Sequence, residues 1–450
     1  MKIISHHLFN SPLDLNHEVK VPWKWMPTLY LFKGLTFVML FYFPLVIFKR
    51  MGVDNGAATF FIAWLMLPVA MRPVLSIFVQ TGHRNRLWIL LSEALIILSM
   101  AGMAHILNGT CWLEGSLMCL GVMAIAHVFH DIAIDKFSLQ AIKHHRTSSL
   151  QLFKLTFYLP SMLVVLGIIV MIGGNLEVIT RNIRSSWSTA CYCPSGFLAV
   201  VLLWHIFMIP QSGADDRERK IRVSDMFYAC LNTSADLIRT PSSWPGILFL
   251  SMFLLPCTLL TPVSIQFMLD LGSCGGLALS PQEFGYVQGT VAVFGLIIGG
   301  MLGIWLLRKV AFGNALPLMA FATCIPPLFY IYLSYALPTN IGWIACCAFI
   351  TQMACGFGSC AYLHYLVYYS EVKRVSTYAL CMSLVTVSVM IPMMLSGSLQ
   401  QALGYRRFFI LTTLLGICSL ITSALAMVDK ELTEEENKPN RKVNHSAMST

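Results

Sequence analysis

Charge is what this 450-residue chain has least of. Asp, Glu, Lys and Arg make up 11% of it, against 57% hydrophobic residues. A soluble domain carries about a quarter charged residues, so a large water-exposed surface is excluded. No glycine-rich phosphate loop of the G-x-x-x-x-G-K type occurs, which argues against nucleotide-driven chemistry, and no selectivity-filter sequence is present. The first 24 residues, Met1–Lys24, are polar and lack the apolar core of a cleavable signal. The fourteen cysteines show no metal-like spacing. Most read as small buried hydrophobes. Cys111, Cys191, Cys193 and Cys274 fall in or beside loops of one side, where a disulfide among them is open and its connectivity is not given by the sequence. No metal, cofactor or enzymatic constellation emerges.

What is present is a series of apolar runs. A spanning helix needs about 20 mostly apolar residues. Spans are expected near 27–48, 58–78, 87–106, 113–134, 150–173, 195–210, 244–268, 283–307, 314–336, 341–368, 377–400 and 406–427, the sixth being short. The fold class is therefore an all-α polytopic membrane protein with twelve transmembrane helices. With both termini inside, 21 Lys and Arg fall on the inner side and 6 on the outer, and Lys33, Arg72 and Lys154 lie within spans. The positive-inside rule then places both termini in the cytoplasm. The net charge of +9 reflects that rule and implies no nucleic-acid partner.

The organisation follows: a cytoplasmic segment 1–26, a six-helix bundle 27–210, a central inner loop 211–243, a second bundle 244–427 and a charged tail 428–450. Within the loop, Val223–Ile238 reads as a short helix at the membrane surface. The tail has the composition of a disordered segment. Six helices, a charged inner loop and six more is the layout of major facilitator transporters, whose halves rock about a midplane site. Gly295, Gly299 and Gly303 of FGLIIGGMLG are four apart and predict close packing of the eighth helix on a neighbour.

Charged residues inside a span cost about 2.5–3.5 kcal/mol each and usually face the bundle interior. They are the candidate site. In HVFHDIAIDKF, residues 127–137, His127, Asp131 and Asp135 are spaced i, i+4, i+8 and share one stripe of the fourth helix. They read either as a cation- or proton-binding face or as a structural lock at the inner boundary. Lys33 of the first helix is the natural counter-charge for Asp131 or Asp135, or else snorkels to the interface. Arg72 and Glu93, in the inner halves of the second and third helices, are expected to pair. Lys154 reads as a snorkelling lysine. In the second half, Gln288, Gln352, His364 and Tyr365, with Tyr362 and Tyr368, suit stacking and hydrogen bonding to a sugar or amphipathic ligand. An interfacial tyrosine belt is the alternative. The glycines of QMACGFGSCAY are expected to bend the tenth helix.

The chain resembles the muropeptide-permease (AmpG-type) branch of the major facilitator superfamily, in its Bacteroidetes-like form, over about residues 27–430. The resemblance rests on KRMGVDN, LPVAMRP, HRNRLWI and HDIAID in the first half. In the second it rests on GGLALSPQEFGYVQGTVAV, GFGSCAYLHYLVYYSE and LSGSLQQALGYRRFFI. It implies a proton-driven importer in a bacterial inner membrane, taking up cell-wall amino sugars with or without peptide; a monomer is expected. Asp131 and Asp135 match the family's HDIA-x-D acids, and Arg72 a basic residue that is usually Lys. Departures are Val69 for a usual Trp, Gln80 for a usual Asp, Lys136-Phe137-Ser138 for Gly-Phe-Tyr, and FLLPCTLL where an Arg and a Glu are common. Lys33 stands where a neutral or acidic residue is usual. Three functions stay open: this importer, a carrier of another small organic solute, or a membrane sensor that kept the fold without transport.

Overall fold

The computed structural model describes residues 24–80, 85–141, 159–210, 243–373 and 375–427, with 228, 232, 235 and 239 described singly. The expected surface helix Val223–Ile238 therefore lies, apart from residues 228, 232 and 235, outside the described residues, as do Lys154 and the tail. Among the described residues every regular element is helical. Ten helices are long and apolar enough to cross a membrane, and the bent pair Asn55–Ala70 and Arg72–Val79 makes an eleventh span. The continuous element Val375–Met427 is two spans joined at Gly404, whose φ of 75° no helix adopts. Twelve spans result among the described residues, six before residue 211 and six after residue 242.

In chain order they are α1 (Met26–Arg50), α2 (Asn55–Ala70 with Arg72–Val79), α3 (Asn85–Ile106), α4 (Trp112–Ala141), α5 (Leu159–Thr180) and α6 (Ile183–Met208). The second half holds α7 (Trp244–Leu269), α8 (Pro281–Lys309), α9 (Phe312–Ala336), α10 (Ile341–Lys373), α11 (375–403) and α12 (405–427). We call the side on which α1 begins the near end and the opposite side the far end.

Several spans differ from expectation: α4 runs on to Ala141 and α5 to Thr180, and α6 and α2 differ most. α6 starts at Ile183, a dozen residues before the expected start; its polar first turns (Ser185, Ser186, Ser188, Thr189) diluted the apolar signal. Asn182 caps it by accepting from the Ser185 amide at 3.2 Å. α2 bends by 48° after Ala70. The cause is Pro73, which has no N–H for the Val69 carbonyl. Val74 then bonds back to the Met71 carbonyl at 3.0 Å, so the Ala70 carbonyl is left free within the helix. Ser383 of α11 donates to it across the two halves.

Two further spans are irregular at mid-length. Leu163–Ile169 of α5 and Gly285–Val291 of α8 are both π-helical. They face each other where the halves touch: a Cβ on Gly289 would lie 2.2 Å from the Gly167 amide nitrogen. Only two glycines permit that backbone contact. The expected glycine stripe on α8 packs against α10, with Gly295, Gly299 and Gly303 against the carbonyls of Phe349, Met353 and Phe357. α10 stays helical through Gly356 and Gly358, so the expected bend of this helix is not seen as a break.

Candidate functional site

Four charged side chains converge in the near half of the first bundle. Arg72 emerges just beyond the bend of α2. Its Nη1 pairs with Asp131 Oδ2 and its Nη2 donates to Asp135 Oδ2 at 2.6 Å. Lys33 of α1 pairs with Asp131 Oδ1 and lies 3.7 Å from Asp135 Oδ1. The i, i+4 spacing on α4 is what sets the two carboxylates side by side. Two cations face two anions, so the group is balanced in charge. Its side chains keep 9–15% of their surface exposed, so the group is not sealed from its surroundings. The Tyr30 ring lies 5.8 Å from the Lys33 ammonium.

Glu93 is not part of this group. The expected Arg72–Glu93 pair is absent: the bend of α2 turns Arg72 toward α4, while Glu93 points into the packed centre of its own bundle. There His130 Nε2 lies 3.1 Å and His205 Nδ1 2.7 Å from Glu93 Oε1. All three side chains are fully buried. His127, on the acid stripe, is buried against the Phe37 ring at 6.1 Å, one turn from the pairs.

In the second half the expected ligand-stacking set is largely core. Tyr365 is fully buried, with the Phe249 ring 4.4 Å away. His364 packs on Phe312 at 4.8 Å. Tyr362 donates to the Leu250 carbonyl at 2.7 Å, and Tyr369 to that of Ser243 at 3.1 Å. The two tyrosine hydrogen bonds fasten α10 to the start of α7. Gln288 is buried in the π-helical part of α8, and its Oε1 has no hydrogen-bond partner among the described residues. Gln352 is half-buried on α10. Cys111, Cys191, Cys193 and Cys274 are all free thiols.

A second polar cluster, not expected from the sequence, closes the far end. Lys49 of α1 pairs with Asp270, just past α7, at 2.7 Å. It also donates to Asn55 Oδ1 at 2.8 Å. Asn55 Nδ2 reaches Gln400 Oε1 at 2.8 Å and the Tyr405 hydroxyl at 2.9 Å. Tyr405 in turn donates to Asp270 at 2.7 Å, and Gln266 to the Asn55 carbonyl at 3.0 Å. The cluster draws residues from both halves. In the sequence Lys49 looks like an ordinary boundary charge, and Asp270 sits beside a glycine-rich loop. Neither position carries a periodic signal that would pair them.

No protein-family model matches the chain, and no curated protein matches it by sequence. Solved structures do match by fold. A structure from a study of substrate recognition in proton-dependent oligopeptide transporters superposes with a TM-score of 0.64 at 13% identity, covering 92% of this chain and 99% of that one. A POT family transporter in complex with 5-aminolevulinic acid gives 0.62 at 11% identity, covering 91% and 96%. The nucleoside transporter NupG gives 0.61 at 12% identity, covering 92% and 99%. The chain is thus an all-helical, multi-pass membrane protein with the fold of these transporters. At such identities the likeness carries the architecture alone.

Proposed function

We propose that the chain is a secondary transporter that moves a small organic solute across a bilayer by alternating access. The observation that carries this reading is the charge-balanced group Lys33, Arg72, Asp131 and Asp135, set in a transporter fold. A buried ion pair is a costly way to hold helices together. A solute with a carboxylate can take over the cations, and a proton or an amine can take over the acids. Each exchange keeps the group balanced and gives the two halves a reason to rearrange. Proton coupling through Asp131 or Asp135 fits this arithmetic.

For the substrate class, the HDIA-x-D resemblance favours a cell-wall-derived amino sugar, with or without peptide. Such compounds carry the carboxylates the cation pair would bind. The bias of Lys and Arg toward one side supports cytoplasmic termini, and the resemblance supports a bacterial inner membrane. A single chain contains both halves, which suits a working monomer. A non-transporting sensor remains the second reading, supported by the absence of the polar groups usual in FLLPCTLL.

Reconstitution in liposomes separates the readings. Labelled anhydromuropeptide is expected to accumulate when an inward proton gradient is imposed. Uptake insensitive to the gradient would remove the coupling and keep the transport. Tight binding without uptake would establish the sensor.

A further inference from the structure

Glu93, His130 and His205 lie outside the charged group just described, and donor counting gives them a role of their own. Thr28 of α1 has one hydroxyl hydrogen. Its Oγ1 lies 2.9 Å from the Trp25 carbonyl, which can only accept. It also lies 2.9 Å from His205 Nε2. With the Thr28 hydrogen on Trp25, His205 Nε2 must itself be the donor to Thr28. His205 Nδ1 is the donor to Glu93 Oε1, since a carboxylate only accepts. In that rotamer His205 carries two N–H groups and a positive charge, opposite the Glu93 carboxylate; with the Thr28 hydrogen turned to His205 Nε2, which leaves the Trp25 carbonyl its Leu29 amide donor at 3.1 Å, the ring is neutral. His130 gives Nε2–H to the same oxygen and stays neutral; its Nδ1 and Glu93 Oε2 have no partner among the described residues.

We infer that Glu93, His130 and His205 form a proton-binding site, separate from the Lys33–Arg72–Asp131–Asp135 group and open to the near end through Thr28. The unloaded form has two neutral imidazoles around one carboxylate, with the Thr28 hydroxyl turned to His205 Nε2. Loading brings one proton: a hydronium ion gives its proton to Thr28 Oγ1 and leaves as water, as Thr28 passes its own hydrogen to His205 Nε2. Thr28 then turns back to the Trp25 carbonyl. The net charge of the site goes from −1 to 0. A fully buried site favours the neutral form, because an unpaired carboxylate away from water is heavily penalised. Thr28 is half-buried while the three titratable groups are sealed, so the hydroxyl is the connection to the outside.

The groups that face the site are accounted for. α1 brings Thr28, Lys33 and the Phe32 ring, which lies 5.0 Å from His130. α4 brings His127 and Asp131, and α2 brings Arg72. The last two, with Lys33, are already balanced among themselves and Asp135. The inference concerns proton occupancy, and it stands or falls independently of transport.

Solid-state NMR on the whole protein in lipid bilayers tests it, with nitrogen-labelled His and carboxyl-carbon-labelled Glu. Dipolar recoupling selects the histidines in contact with a Glu carboxyl carbon without any substitution. The expected spectrum has one imidazolium (His205) and one neutral Nε2–H ring (His130), and raising the pH removes a single proton from the first. Two neutral rings at every pH at which the protein stays folded would overturn the inference. So would an imidazolium that never gives up its proton, which is the behaviour of a purely structural pair. In Glu93→Gln the imidazolium signal is expected to vanish, and its persistence would count against the site. In Thr28→Val, hydrogen exchange at His205 with water is expected to slow; unchanged exchange would exclude the Thr28 route.

Discussion

Lys49 and Asp270 meet at 2.7 Å at the far end, and each belongs to a different half of the molecule. Asn55, Gln400 and Tyr405 surround the pair, so the far end is shut by hydrogen bonds that must break if the halves are to separate there. At the near end Ser383 donates to the Ala70 carbonyl across the two halves.

Lys49→Ala is expected to loosen the far end. Leaving a charge-assisted partner unsatisfied costs about 1–3 kcal/mol, roughly a tenfold to hundredfold change in population. Thr59 lies beneath the lock and is fully buried. A cysteine placed there should react with an impermeant maleimide about tenfold faster in the Lys49→Ala background. Equal rates would mean that the pair does not hold the gate.

Asp131 bridges both cations, whereas Asp135 is held by Arg72 and lies 3.7 Å from Lys33. Asp131→Asn should therefore reduce uptake far more than Asp135→Asn. Breaking a buried pair by removing one partner costs about 3–5 kcal/mol; the 11% exposure of Asp131 lowers that toward about 2–4 kcal/mol. The double variant Lys33→Met with Asp135→Asn restores charge balance. Its melting temperature should fall by less than the two single losses combined, and simple additivity would show that the charges are uncoupled.

Gly289 touches the backbone of Gly167 across the halves, while a Cβ on Gly300 would meet nothing within 4 Å. Gly289→Ala should cost about 1–3 kcal/mol through overpacking. Gly300→Ala should stabilise by about 0.5–1 kcal/mol through helix propensity. Thermal unfolding in detergent checks both. A stable Gly289→Ala variant would mean that the two π-helical segments are free to part.

The apolar spans and the α8 glycine stripe were legible in the sequence because apolar length and residue size are local properties. The Lys33 contact with the α4 acids was legible too, since their i, i+4 spacing fixes a face. The partner of Arg72 was not. It depends on a 48° bend whose direction no helical wheel contains. Glu93 was recognised as a costly in-span charge, but its partner His205 lies 112 residues away. Nothing local marks a histidine that ends one helix as the neighbour of an acid on another. The tyrosines of α10 look alike in the sequence whether they line a cavity or fill a core; only the rings of Phe249 and Phe312 decide it. The far-end lock joins residues as much as 350 positions apart.

Alternating access is the central claim, and distances between spin labels test it without knowledge of the solute. Arg181 and Asn340 are exposed at the far end of the two halves, and Phe207 and Lys309 at the near end. Pairs of labels at these positions should report two populations, with the far-end distance lengthening as the near-end distance shortens. Lys49→Ala should enlarge the far-open population. A single distance at each end, unchanged by Lys49→Ala, would contradict the account.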